Sequence, residues 1–129
     1  MIKAYVVGIS NYYEGEDIEV RYSIYVDQEL ICKKSVFKEY RKPLIVSHVA
    51  LLTLLKDLKK YKGKEIVIII NDASLNDQIR GLSQTKKQDV IKMAKRVQLE
   101  LNRFGDSVKV IDVSKDSVKL NEWNEELRF

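Results

Sequence analysis

Asp72 closes an apolar run, Ile66 to Ile70, with Asn71 between them. An acid at the end of such a strand is well placed for chemistry, because α/β sheets present ligand sites at the carboxyl ends of their parallel strands. The other reactive types are sparse. His48 is the sole histidine and sits beside Ser47. General acid–base work needs a partner within hydrogen-bond reach, and the commoner outcome for such a residue is a surface or boundary histidine. Cys32 is the sole cysteine, between Ile31 and Lys33, where a small half-buried or buried thiol is the ordinary case. One Cys and one His exclude a zinc site at ordinary spacing. Ser10 and Ser74 lack a Gly-x-Ser-x-Gly setting, and Gly8, Gly15, Gly63, Gly81 and Gly105 are isolated, so no phosphate-cradling loop is present.

Binding residues are more numerous. Between Lys86 and Arg103 stand six basic residues, Lys86, Lys87, Lys92, Lys95, Arg96 and Arg103, against Asp89 and Glu100, with Arg80 just upstream. A basic helix of this kind can neutralise phosphates and release counterions; the plainer reading is a solvated helix face. Tyr12, Tyr13, Tyr22, Tyr25 and Tyr40 gather in the amino-terminal third. Exposed aromatics can stack on bases or anchor a protein. Period-2 alternation puts Tyr22 and Tyr25 on opposite faces, so at least one belongs to the core, and Tyr12-Tyr13 is the better contact candidate.

The elements that must position these residues are legible in order. Ile2–Ile9 is apolar and β-branched, a strand. Ser10–Asp17 reads as a loop. Ile18–Val26 alternates apolar and polar, a half-buried strand. Asp27-Gln28-Glu29 turns the chain, and Leu30–Glu39 completes an antiparallel meander. The period then switches: Leu44, Val49, Leu51, Leu52, Leu55 and Leu58 mark an amphipathic helix entered through Pro43 and stopped near Gly63. Glu65–Asn71 is apolar without alternation, a strand covered on both faces. Ala73–Leu82 and Gln84–Phe104 are helices, Val108–Val113 a last strand, and Lys119–Arg128 a terminal helix. The order β-β-β-α-β-α-α-β-α implies an α/β fold, a mixed five-stranded sheet with helices on both faces.

The chain's 129 residues suit a single domain, 1–129. Composition is that of a globular protein, 45% hydrophobic and 33% charged, with net charge +4. The apolar runs are far short of the ~20 residues of a membrane span. No signal-peptide pattern opens the chain, and a lone cysteine fits a reducing compartment, so the expected location is cytoplasmic.

Several stretches carry a family resemblance. Tyr5-Val6-Val7-Gly8-Ile9-Ser10 is similar to an opening strand that reads Tyr-Thr-Asp-Gly-x-Ser. Ser47-His48-Val49-Ala50-Leu51-Leu52-Thr53-Leu54-Leu55 fits a first helix in which Glu precedes an Ala-Leu-x-x-x-Leu spacing. Ile66-Val67-Ile68-Ile69-Ile70-Asn71-Asp72-Ala73-Ser74-Leu75, continuing to Gln78 and Gly81, resembles a strand-end Ser-Asp-Ser signature with a Gln-rich helix. Leu101 to Phe104 and Val108 to Asp116 look like the run through a fifth strand into a Val-Pro-Arg-Glu turn. With the element order, these stretches make the chain resemble the ribonuclease H superfamily over nearly its whole length.

That resemblance implies chemistry and also its loss. The family hydrolyses phosphodiesters with two divalent metals about 4 Å apart. Oxygen-preferring Mg or Mn is held there by four converging carboxylates. Here the first falls on Val7 and the second on Ser47, while Asp72 is retained and the terminal-helix acid falls near Glu122. Asp72 and Glu122 are thus the remnant catalytic pair, and Asp72 the candidate for one weak metal site. The expectation is no bound cofactor and no efficient nuclease activity. Glu14, Glu16, Asp17 or Asp77 would have to supply a migrated ligand for activity to survive.

Three functions stay open. One is a non-catalytic domain that binds nucleic acid (RNA/DNA hybrid or RNA) through Arg80, Lys86, Lys87, Lys92, Lys95 and Arg96, or binds a protein. Another is a residual metal-dependent nuclease. The third is an interaction protein self-associating through the edge strand Leu30–Glu39, against which Lys33, Lys34 and Lys38 argue.

Overall fold

The computed structural model describes residues 1–10, 15–39 and 41–129. Five strands make one sheet in the order β3-β2-β1-β4-β5: β1 (Ile2–Ile9), β2 (Ile18–Val26), β3 (Glu29–Lys38), β4 (Ile66–Ile70) and β5 (Val108–Asp112). The first three form the antiparallel meander, and β4 and β5 run parallel to β1. The alternation of β2 has its expected consequence, since Ile18, Val20, Tyr22 and Ile24 are all buried. The hairpin turn is one residue tighter than the sequence pattern suggests. Asp27 and Gln28 alone make it, with φ of 48° and 72°. Two left-handed residues match the right-handed strand twist, which releases Glu29 into β3.

The helices are α1 (Val46–Leu58), α2 (Ala73–Ile79), α3 (Gln88–Asn102) and α4 (Ser117–Glu126). The first three cover one face of the sheet, where Ala50, Leu51, Leu54, Leu55, Leu75 and Val97 pack on Ile2, Ala4, Val6, Ile66 and Ile68. The opposite face is covered by α4, whose Trp123, with Leu127 just beyond, packs on Tyr5, Ile69 and Val113. Each fully buried Leu or Ile contributes about 1.5–3 kcal/mol.

Three boundaries differ from the pattern for local reasons. Helix α2 stops at Ile79 because Gly81 (φ +73°) closes it, with Gly81 N–H bonded to the Gln78 carbonyl (3.2 Å) and Leu82 N–H to that of Asp77 (2.8 Å). This is a Schellman stop. Helix α3 begins at Gln88 because Lys87 is extended, so Lys86 and Lys87 lie ahead of the helix and not on it. Helix α4 starts at Ser117 because the Asp116 carboxylate caps it, accepting from Lys119 N–H at 3.1 Å. In α1 the buried stripe is Val46, His48, Ala50, Leu51, Leu54, Leu55 and Leu58, while Leu44 is exposed. The stripe is wide because α1 packs on both the sheet and α3.

Candidate functional site

Strands β1 and β4 pair only from Ile2/Ile66 to Tyr5/Ile69. Strand β1 stays bonded to β2 as far as Ile9, and β4 to β5 as far as Ile70. Past Tyr5 the two parallel strands lose their pairing, leaving a crevice at their carboxyl ends, the ligand position of α/β sheets. Val7 and Gly8 line it from β1, Ser47 and Ala50 from α1, Asn71, Asp72 and Leu75 from the β4–α2 junction, and Trp123 from α4. Gly8 sets the approach of α1. A Cβ there would lie 2.8 Å from Val46 Cγ1 and from the Val46 carbonyl oxygen, so only glycine lets the first turn of α1, with Ser47, come down to the strand.

The crevice is nearly full. Its free volume is about 20 Å³, on the order of one water. The Trp123 indole N–H donates to the Val6 carbonyl at 3.2 Å, and no β1–β4 pairing extends to that residue. Asp72 is half-buried and employed. One of its carboxylate oxygens, Oδ1, accepts from Leu75 N–H at 2.9 Å, capping α2. Its own N–H donates to Asp112 Oδ1 at 3.0 Å, and Asp112 also accepts from the Ser114 hydroxyl at 2.6 Å.

A pair of divalent metals does not fit these residues. Val7 offers no donor and Ser47 only a neutral one, which leaves Asp72 as the one carboxylate among the residues that line the crevice. Among the described residues no three His, Cys, Asp or Glu side chains stand together as a metal-binding group.

The structure does not bring Glu122 to Asp72. Glu122 lies on the other side of Trp123, accepting from the Tyr5 hydroxyl at 2.6 Å and from Lys3 Nζ at 3.3 Å. The Tyr5 bond, with help from Lys3, holds its carboxyl below the usual range. One turn on, Glu126 accepts from the Tyr25 hydroxyl at 2.6 Å, chiefly for which reason the Tyr25 phenol is pushed up to about 12. Both glutamates line a separate cavity of about 450 Å³ with Lys3, Tyr5, Tyr25 and Asp27. They fasten α4 to the sheet.

Other candidates are scattered. His48 is not a surface residue: it is 2% exposed, its Nε2 is 2.5 Å from Gln78 Oε1, and Gln98 in turn donates to the Gln78 carbonyl at 2.9 Å. The three join α1, α2 and α3. Cys32 is half-buried; Ser10, Ser74, Glu16, Asp17 and Asp77 are exposed. Tyr22 is core and donates to Asp57, while Tyr25 points to the opposite face. Tyr12, Tyr13, Glu14 and Tyr40 lie outside the described residues.

The basic residues are all exposed. On α3, Lys92, Lys95 and Arg96 recur at helical spacing on the face opposite Val90, Val97 and Leu101. Lys86 and Lys87 extend the group beyond the amino terminus of α3. That end sits beside the chain leading into α1, where Lys42 approaches Asp89 at 3.8 Å. Arg80, at the end of α2, points elsewhere: it lines a depression with Asn102 and Lys109 at the β5 edge.

With this geometry in place, comparison with solved structures is decisive for the fold. Ribonuclease H1 of the halophilic archaeon Halobacterium salinarum superposes with a TM-score of 0.79 at 16% identity, covering 98% of this chain and 90% of that one. The fold is that of ribonuclease H. A compost-metagenome ribonuclease H1, LC11, solved in complex with RNA/DNA hybrid, matches at 0.75 and 13% identity over 98% and 96% of the two chains. The amino-terminal ribonuclease H domain of a Mycobacterium tuberculosis protein matches at 0.71 and 11%, covering 98% of each. No protein-family model and no curated protein sequence matches the chain.

Sequence reasoning missed Trp123, which lines the crevice, and Asp112, which holds the Asp72 N–H beside it. Asp112 ends a strand much as Asp72 does, and that likeness was available. Trp123 is the sole tryptophan, and Leu120, Trp123 and Leu127 recur at three- and four-residue spacing, the mark of a buried helix face.

Proposed function

We propose that this chain is a non-catalytic ribonuclease H-like domain that binds nucleic acid through the basic face of α3 and the segment before it. The observation that carries the first half is the crevice: Val7, Ser47 and Trp123 line it, its one lining carboxylate is Asp72, and Asp72 caps a helix. The second half rests on the exposed cations Lys86, Lys87, Lys92, Lys95 and Arg96. The similar LC11 enzyme was solved on an RNA/DNA hybrid, which makes that duplex the first ligand to try. Contact through lysines and arginines to phosphates positions a duplex without reading its bases, so the expected binding is insensitive to sequence. Arg80, on a different surface, contributes little.

The test has two arms on one end-labelled RNA/DNA hybrid. Incubation with magnesium or manganese should yield no cleavage that Asp72→Asn abolishes; cleavage by the parent alone would install the residual-nuclease reading instead. Fluorescence anisotropy should show binding at low salt. With about five phosphates neutralised, log K should fall against log salt with a slope of about −4 to −5. Replacing Lys92, Lys95 and Arg96 together by Ala should flatten that slope by about 3. Absence of binding at low salt would refute the nucleic-acid half.

A further inference from the structure

Strand β3 is the outer strand of the sheet on the meander side and is ten residues long, whereas β5 at the other edge has five. A long open edge offers unpaired backbone N–H and C=O groups to any chain that can lie beside it, unless charge, proline or a covering element prevents this. No proline interrupts β3, and Leu30, Ile31 and Phe37 are 46%, 45% and 65% exposed along it. Among the described residues its cationic guards are Lys33, Lys34 and Lys38, with Glu29 at its first position. Lys34 reaches Asp57 at 3.4 Å. Lys33 instead sits 5.0 Å from the centre of the Phe129 ring, and neither Lys33 nor Lys38 takes part in an ion pair among the described residues. The register with β2 puts Lys33 and Phe37 on the α4 face, and Lys34 and Lys38 on the α1 face. The edge thus presents cations above and below, with apolar side chains towards its two ends.

We propose that this edge accepts an acidic peptide in extended form, adding a strand to the sheet outside β3. Backbone pairing would give the affinity and alternating side chains the selectivity, as in other strand-addition complexes. Charge decides the occupant. A second copy paired antiparallel about the middle of β3 would set Lys33 against Lys33 of its partner, or Lys34 against Lys34, like charges directly opposed on one face. A nucleic acid would meet the lysines but has no peptide backbone to match the ladder. Glutamate or aspartate across from Lys33, Lys34 and Lys38, with valine or phenylalanine near Leu30 and Phe37, satisfies both. This reading does not depend on the nucleic-acid proposal, which uses a different surface.

The probe is a fluorescein-labelled ten-residue peptide with consecutive Glu residues at its centre and Val towards both ends, so that carboxylates face both sides of the sheet, titrated into the full ¹⁵N-labelled chain. A second peptide of the same sequence, N-methylated at alternate residues, keeps the charges but cannot complete a ladder. The expected result is saturable binding, slowed hydrogen exchange confined to β3 amides, and loss of binding with the methylated peptide. Lys33→Glu combined with Lys38→Glu should weaken binding about tenfold or more. Equal binding of the methylated peptide, or perturbations centred on α3, would reduce the effect to general charge attraction and overturn the proposal. So would sedimentation showing a peptide-free dimer that the double Lys→Glu change alters, because the edge would then belong to a second copy.

Discussion

Trp123 is the residue whose removal tests the account of the crevice most directly. Its side chain is 8% exposed, packs with Tyr5, Ile69, Val113 and Leu127, and donates to the Val6 carbonyl. Trp123→Phe keeps most of the packing and leaves that carbonyl without its partner, a cost of about 1–3 kcal/mol. Trp123→Ala also removes the ring, for about 3–5 kcal/mol in all. At about 2.1 cal/mol/K of unfolding entropy per residue, a chain of 129 residues loses about 4 °C of Tm per kcal/mol. The expected losses are therefore about 4–11 °C for Phe and about 11–18 °C for Ala. Circular dichroism of the helical band follows both variants. In the parent, fluorescence of this sole tryptophan reports α4 separately. If the Ala variant melted within about 4 °C of the parent, or the parent's fluorescence transition preceded its helical one, α4 would lie loosely on the sheet and the crevice could not be called filled.

Introducing acids at Val7 and Ser47 should show what their absence spares. Val7→Asp with Ser47→Glu places two carboxylates beside Asp72, so without metal the variant should melt below the parent through desolvation and mutual repulsion. Millimolar magnesium should then raise its Tm while leaving the parent's unmoved; a parent rise of several degrees would reveal a surviving site. Asp72 itself should behave as a cap, with Asp72→Asn nearly neutral and Asp72→Ala costing about 1 kcal/mol in urea denaturation; equal losses would refute that assignment. The glutamates on α4 should set the pH profile. Glu122 has its folded pKa depressed below 4.5, so its contribution is full above that pH and is lost as pH falls through the folded value. Tyr25 has its folded pKa raised from 10.0 to about 12, so its contribution is full below pH 10 and lost as pH rises towards 12. Urea midpoints across pH should show both limbs, with Tyr5→Phe flattening the acid one and Tyr25→Phe the alkaline one; unchanged limbs would mean these bonds do not hold in solution.

What could be read from the sequence followed from periodicity. The alternation of Ile18 to Val26, the unbroken Ile66 to Ile70 and the three-four spacing of α1 each report one element's own burial pattern, and the element order then limits the topology. The places where reading failed depend on something outside the element. His48 looked like a boundary residue because its partner Gln78 is thirty positions away on another helix. Lys86 and Lys87 looked helical by composition, yet the extended Lys87 delays the start of α3. Glu122 looked like a remnant ligand because a sequence match cannot say which side of Trp123 a neighbouring carboxylate will face; Tyr5 and Lys3 decide that.

The presence of Asp72 at the end of β4 has a reading that needs no metal. Asp is among the best helix N-caps, and α2 begins directly after it, with Leu75 N–H on its carboxylate. The backbone N–H of the same residue is held by Asp112 across the ends of β4 and β5. An acid with those two connections is favoured at the strand end whether or not a cation ever binds there. Val7 and Ser47 have no corresponding structural claim on a carboxylate. At Val7 the α4 face is apolar, with Tyr5, Ile69 and Trp123 around it, and a buried unpaired carboxylate there would be costly. Valine at position 7, serine at 47, aspartate at 72 and an indole beside them are therefore one physical result. Where no cation offsets the mutual repulsion that clustered carboxylates would feel, packing and helix capping decide which side chains suit these positions.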